Sequence, residues 1–264
     1  AGCAAGGTWE AYDTTKAWTL TQSNGTATVY AMFRDTLGNE SSCVNDTIIH
    51  DSVAPVTVLG STPATPASSS SYDIDVQIDN GLVSYKYAVV SSVTICSGAI
   101  YSNSWIDHSI NITGDLSGPG AWKICVLGQD AAGNTQATAD ATEHSWQYDN
   151  QQPTVAISST SSNPTSDAMI PVTVTFNENV SGFVLADINV TGGSSANFTG
   201  SGSVYNFELT PAAAGTITVD VAAGVASDTA GNTNTVAIQY SVVYDNSGLT
   251  STSVSIAGGA SHTN

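Results

Sequence analysis

Five residues recur three times with the same acidic start and amide end: Asp35-Thr-Leu-Gly-Asn39, Asp130-Ala-Ala-Gly-Asn134 and Asp228-Thr-Ala-Gly-Asn232. About 16 to 19 residues after each stands another acid, Asp51, Asp149 and Asp245 in turn. Carboxylate and amide oxygens are hard donors, and Ca²⁺ gathers about six to eight of them. One reading therefore joins each turn Asp and Asn to a linker Asp and an oxygen of the next module, as a Ca²⁺ site at a joint. The candidate ligands are Asp35, Asn39, Asp51, Asp130, Asn134, Asp149, Asp228, Asn232 and Asp245, with Glu178 and Asp187 as further donors. The other reading needs no ion. Asp and Asn hydrogen-bond nearby backbone and Gly accepts a positive φ, so the pattern also makes a tight strand-connecting turn.

Other chemistry finds little support in the residue order. Asp73, Asp75 and Asp79 imitate a Ca²⁺ loop, but Ile74, Val76 and Ile78 alternate with them as the inward face of a strand, and the loop glycine is missing. There is no GxSxG, no HExxH and no Gly-rich phosphate loop, and His50, His108, His144 and His262 are scattered. Nothing singles out a carboxylate pair of the glycosidase kind. The expectation is that the protein is not an enzyme. Trp9, Trp18, Trp105, Trp122 and Trp146 could stack on sugar rings if exposed, or fill a core; Trp122, in alternation with Ile124 and Val126, is expected in the core.

These residues need elements to hold them, and the hydrophobic period along the chain is two. Val172, Val174, Phe176; Tyr205, Phe207, Leu209; Ile217, Val219, Val221; and Val236, Ile238, Tyr240, Val242, Tyr244 each alternate with polar neighbours, as half-buried strands do. Gly-Asn, Asn-Gly and Ser/Thr clusters punctuate them. The class is all-β, with tandem β-sandwiches expected in an elongated array. The turn intervals are about 95 and 98 residues. They place the closing part of a first domain at 1–53, a second domain at 54–150, a third at 151–246, and the opening strand of a further one at 247–264. Pro55 and Pro153 stiffen the short joints, so a rod is expected. Residues 1–53 supply closing strands and residues 247–264 an opening one. A window on a longer repeat protein explains this most simply; the alternative is that one chain's tail completes the next chain's head.

Composition narrows the partners. Twenty-two acids face only Lys16, Arg34, Lys86 and Lys123, for a net charge of −18. No basic footprint exists for nucleic acid, and no apolar run is long enough for membrane insertion. No signal-peptide pattern is present, so a targeting segment of a secreted protein would lie outside this sequence. Two cysteines fall in each of the first two pieces, which favours pairing within modules, Cys3–Cys43 and Cys96–Cys125, and with it an oxidising compartment.

The stretch from Pro171-Val-Thr-Val-Thr-Phe-Asn-Glu178 through Ala186-Asp-Ile-Asn-Val-Thr191 to Gly215-Thr-Ile-Thr-Val-Asp220 and Asp228-Thr-Ala-Gly-Asn232 closely resembles the bacterial immunoglobulin-like repeats of giant surface adhesins. Thr28-Val-Tyr-Ala-Met-Phe-Arg-Asp35 resembles a related class, and Ile124-Cys-Val-Leu-Gly-Gln-Asp130 a disulfide-bearing variant. The resemblance implies a stalk of an exported bacterial surface protein, stiffened by Ca²⁺ at module junctions, with neighbouring repeats as partners. Other copies in a fibre joined by strand donation, or an accessory glycan-binding module of a secreted enzyme, remain as alternatives. In a bacterial source sequons such as those at Asn24, Asn45, Asn111, Asn189 and Asn197 are accidents of composition.

Overall fold

The computed structural model describes residues 2–3, 7–20, 24–77, 79 and 81–248. Ile78 and the opening strand expected across 249–264 lie outside them. The chain divides into two compact units: residues 1–64 with 71–147, and residues 65–70 with 148–264.

The first unit opens on an antiparallel pair, β1 (Gly25–Ala31) and β2 (Val44–His50), with Ala27 opposite Ile48 and Val29 opposite Asp46. β3 (Val58–Leu59), β4 (Ser71–Ile74), β5 (Val76–Gln77), β6 (Leu82–Ser91), β7 (Ile106–Asp107), β8 (Ile112–Asp115), β9 (Gly120–Asp130) and β10 (Thr142–Tyr148) follow. Sheet order is β10-β9-β6-β7, with β3 on β5 and β4 on β8. The expected alternation places Ile74 and Val76 inside, with Tyr85, Ile112, Ile124, Val126 and Trp146. β9 departs from it, since Cys125 and Leu127 on its other face are buried as well. Trp122 is only half-buried at the mouth of β9, its Nε1 donating to the Gly118 carbonyl, so the core ends at Ile124.

The second unit holds β11 (Val155–Ser159), β12 (Ile170–Val180), β13 (Ile188–Thr191), β14 (Gly193–Pro211), β15 (Gly215–Val221) and β16 (Tyr240–Tyr244). Sheets β11-β12-β14 and β13-β15-β16 turn their apolar faces into one core. Val172, Val174, Phe176, Phe207 and Leu209 enter it from one side, Ile217, Val219, Val221 and Val242 from the other. β14 doubles back on itself around Asn197, Gly200 and Gly202, whose φ values are positive. A side chain at Gly200 (φ +121°) would strike the Val204 carbonyl, and Asn197 donates to Glu208.

The last expected strand is shorter than its pattern. Val236 and Ile238 are exposed and β16 starts only at Tyr240. Ala237 takes the buried place instead, its N–H on the Val221 carbonyl, so the inward parity flips between Ala237 and Val242.

A buried amide fills the same place in both units, just after the repeated turn. Gln136 accepts from the Thr57 and Gly128 N–H groups through Oε1 and donates to the Asp140 carbonyl. Asn234 accepts from Val225 and Ala226 through Oδ1 and donates to the Ala222 and Thr235 carbonyls. Both groups are nearly free of solvent, and full pairing is what makes their burial tolerable.

Candidate functional site: the repeated turns and their exits

The three Asp-x-x-Gly-Asn segments fold alike. In each, the Asp carboxylate accepts the backbone N–H of the Asn through Oδ1, at 2.8, 2.8 and 2.9 Å in chain order. Oδ2 accepts the Asn side-chain amide at 2.7, 2.9 and 2.9 Å. The glycines carry φ of +90°, +89° and +93°, a conformation that other residues reach only with strain. For Asp35 the side-chain and backbone bonds from Asn39 hold the carboxyl below its usual range. Burial pushes Asp130 upward, but the bonds from Asn134 and the turn's amides outweigh it and the net displacement is down.

The second hydrogen of the amide reaches outside the turn. Asn134 donates to the Asp51 carbonyl at 3.1 Å and Asn232 to the Asp149 carbonyl at 2.9 Å, each across 83 residues. Asp51 and Asp149 thus each meet the turn of the module that follows them rather than their own. The Asn residues, expected among the oxygen ligands, present their nitrogen to this junction as a latch. We expect Asn232→Ala to lower stability by about 2 kcal/mol, since it removes one charge-assisted and one neutral hydrogen bond. Urea unfolding that shifts by less than about 0.5 kcal/mol would show the latch to be incidental.

Three of the expected ligands converge. Single carboxylate oxygens of Asp149, Glu178 and Asp228 all lie within 4.8 Å of one another, Asp228 buried and the other two half-buried. Asp149 Oδ1 holds the Gln151 N–H, whereas Glu178 has no hydrogen-bond donor among the described residues. Burial, then the charges of Asp228 and Asp149, push the Glu178 carboxyl upward. A cation with oxygens at roughly 2.3–2.6 Å bridges donors up to about 5 Å apart, so this donor set fits Ca²⁺ in chemistry and spacing.

The remaining candidates are not brought into such a cluster. Asp51 meets the Asp130 turn through its carbonyl, with no third carboxylate among the described residues. The counterpart of Glu178 in the second module, by the turn interval, is Asn80, outside the described residues. Asp187 caps a short 3₁₀ turn by accepting the Val184 N–H. Asp245 accepts the N–H of Ser247. The sequence already held the signal for the 149–228 pairing, because 51 and 130 are spaced as 149 and 228 are.

Both disulfides, Cys3–Cys43 and Cys96–Cys125, are formed. The four cations are engaged: Lys16 with Glu10, Lys123 with Glu143, Arg34 over the Trp9 ring and Lys86 over Trp105. The acidic excess therefore has no basic surface to offset it. No helix among the described residues is long and apolar enough to cross a membrane.

Residues 149–257 match the profile described as "Bacterial Ig-like domain". No curated protein matches the chain. Among solved structures, "Biofilm associated protein - BSP domain" is similar at 14% identity, covering 72% of this chain and 30% of that one, with a TM-score of 0.25. The tetra-tandem repeat in the extending region of a large adhesion protein is similar at 17% identity, covering 84% and 57%, with a TM-score of 0.29. The chain thus spans less than two thirds of the length of either. The profile match takes in all of β11 to β16, with the two-sheet core and the latched turn, so over residues 149–257 the chain is similar to the bacterial Ig-like domain family.

Proposed function

We propose that the chain is a structural segment of an exported bacterial surface protein, a stalk of tandem Ig-like modules that supplies reach and rigidity rather than catalysis. The observation that supports this most is the repeated latch. The same turn, with the same amide geometry, grips the residue that leaves the preceding module at two successive joints. We place Ca²⁺ at Asp149, Glu178 and Asp228, where it would neutralise the facing carboxylates and add bonds that no side chain supplies. The first joint, with one carboxylate fewer, relies on its hydrogen bonds.

A tension-bearing segment unfolds module by module, so single-molecule pulling tests the reading. The non-reduced second module should release less chain than the third, because Cys96–Cys125 withholds the residues across its separation of 29. Reduction should add about 100 Å of contour at roughly 3.5 Å per residue. A single featureless extension at low force, with no discrete steps, would remove the mechanical role.

A further inference from the structure

On β9 the side chains of Lys123, Cys125 and Leu127 share the face turned away from the core, and Lys86 of β6, opposite Leu127, joins them. Residues 92–105, the connection from β6 to β7, fold over that face. Cys96 is bonded to Cys125, and the Lys86 Nζ lies 5.0 Å from the centre of the Trp105 ring. Both ends of the loop are tied down as well, the Ser92 N–H on the Ala121 carbonyl at 3.0 Å and the Ser102 N–H on the Tyr87 carbonyl at 2.8 Å. Across its middle the Tyr101 hydroxyl donates to the Cys96 carbonyl at 3.0 Å.

A loop stapled in this way still holds three aliphatic side chains out of the fold. Val93, Ile95 and Ile100 are exposed, Ile100 to 92%. Because the backbone beneath them is fixed, little ordering cost remains for a contact made through them. The charge pattern sets the same place apart. No Asp or Glu stands between Asp79 and Asp107, the longest acid-free run of the chain, and the second module's two cations, Lys86 and Lys123, lie on the face beneath the loop. Two copies of a chain with a net charge of −18 repel wherever acid meets acid. At this loop they meet without that cost.

We propose that the 92–105 loop is a contact between copies of this chain, each loop packing its aliphatic tips on the same loop of a second copy. An uncharged apolar patch is complementary to itself, so the contact is isologous and closes as a dimer. Three such tips cover far less than the roughly 800 Å² per partner of a standard interface, and the dimer is accordingly weak, with a Kd on the order of 0.1–1 mM. No cation is needed, and the proposal stands or falls apart from the Ca²⁺ site.

Sedimentation equilibrium of the whole chain tests it, in chelator so that no divalent ion links the acids and in about 0.5 M NaCl to screen the long-range repulsion. Between about 20 µM and 1 mM the weight-average mass should rise from 26.9 kDa toward twice that value and not past it. Ile100→Asp, which sets two carboxylates near each other across the two-fold axis, should weaken the dimer at least about tenfold. Ile238→Asp is the control: that residue is as exposed, at 89%, but lies in the third module, and the dimer should survive its loss. A monomer at about 1 mM overturns the proposal. So does association that Ile100→Asp leaves undiminished, that Ile238→Asp weakens equally or that grows past the dimer, each a mark of unspecific adhesion. A monomer that instead floats with phosphatidylcholine vesicles, and loses this with Ile100→Asp, would give the loop to a lipid surface and overturn it too.

Discussion

Replacing Cys96 and Cys125 together by alanine should destabilise the second module by about 3–4 kcal/mol. The cross-link closes a loop across a separation of 29 residues, and the chain-entropy model assigns that closure most of this amount in the unfolded state. Both sulfurs are buried, Cys125 completely, so the variant also loses packing where β9 is covered on both faces. For a domain of this size the melting temperature should fall by at least about 12 °C. Calorimetry of the intact chain carries its own control, since the third module has no cysteine and its transition should stay in place. A shift of under about 2 °C on reduction or substitution would mean that the native state gains nothing from the bond.

The second large effect is that of Ca²⁺ on the third module. At a hundred times its Kd, an ion that binds only the folded state adds about 2.7 kcal/mol. Glu178→Gln separates ligation from repulsion. It should raise stability in chelator, by about 1 kcal/mol for each carboxylate it no longer faces at water-like screening, and it should erase most of the Ca²⁺ increment. Asp228→Ala should erase the increment too, but at a net cost, because Asn232 loses the carboxylate that orders its turn. Titration calorimetry that shows no heat, with a melting curve indifferent to chelator, would leave the cluster as three acids held close by the fold.

Much of this was legible in residue order because the governing forces are local. Alternation places Val172, Val174 and Phe176 inside, since the pleat sends every second side chain to one face. The glycines of the repeated turn announce their positive φ for an equally local reason. What escaped depends on partners far along the chain. Ala237 is buried in place of Val236 and Ile238 because its N–H is claimed by Val221, a contact no period of two reveals. That the amide nitrogens of Asn134 and Asn232 are spent on a carbonyl 83 positions earlier is hidden for a similar cause.

The two buried amides bear on how neighbouring repeats avoid exchanging strands as they fold. Adjacent modules that share a turn and a strand pattern risk pairing with each other's segments, a familiar failure of repeat proteins. Gln136 and Asn234 differ by one methylene, and each is satisfied by backbone groups of its own module, with the Thr57 hydroxyl added at Gln136. A swapped strand would carry an amide too long or too short for its socket and strand at least one buried polar group, at about 1–3 kcal/mol per group. The interior polarity thereby gives each repeat a private key, and similar modules can be made in succession on one chain without becoming interchangeable.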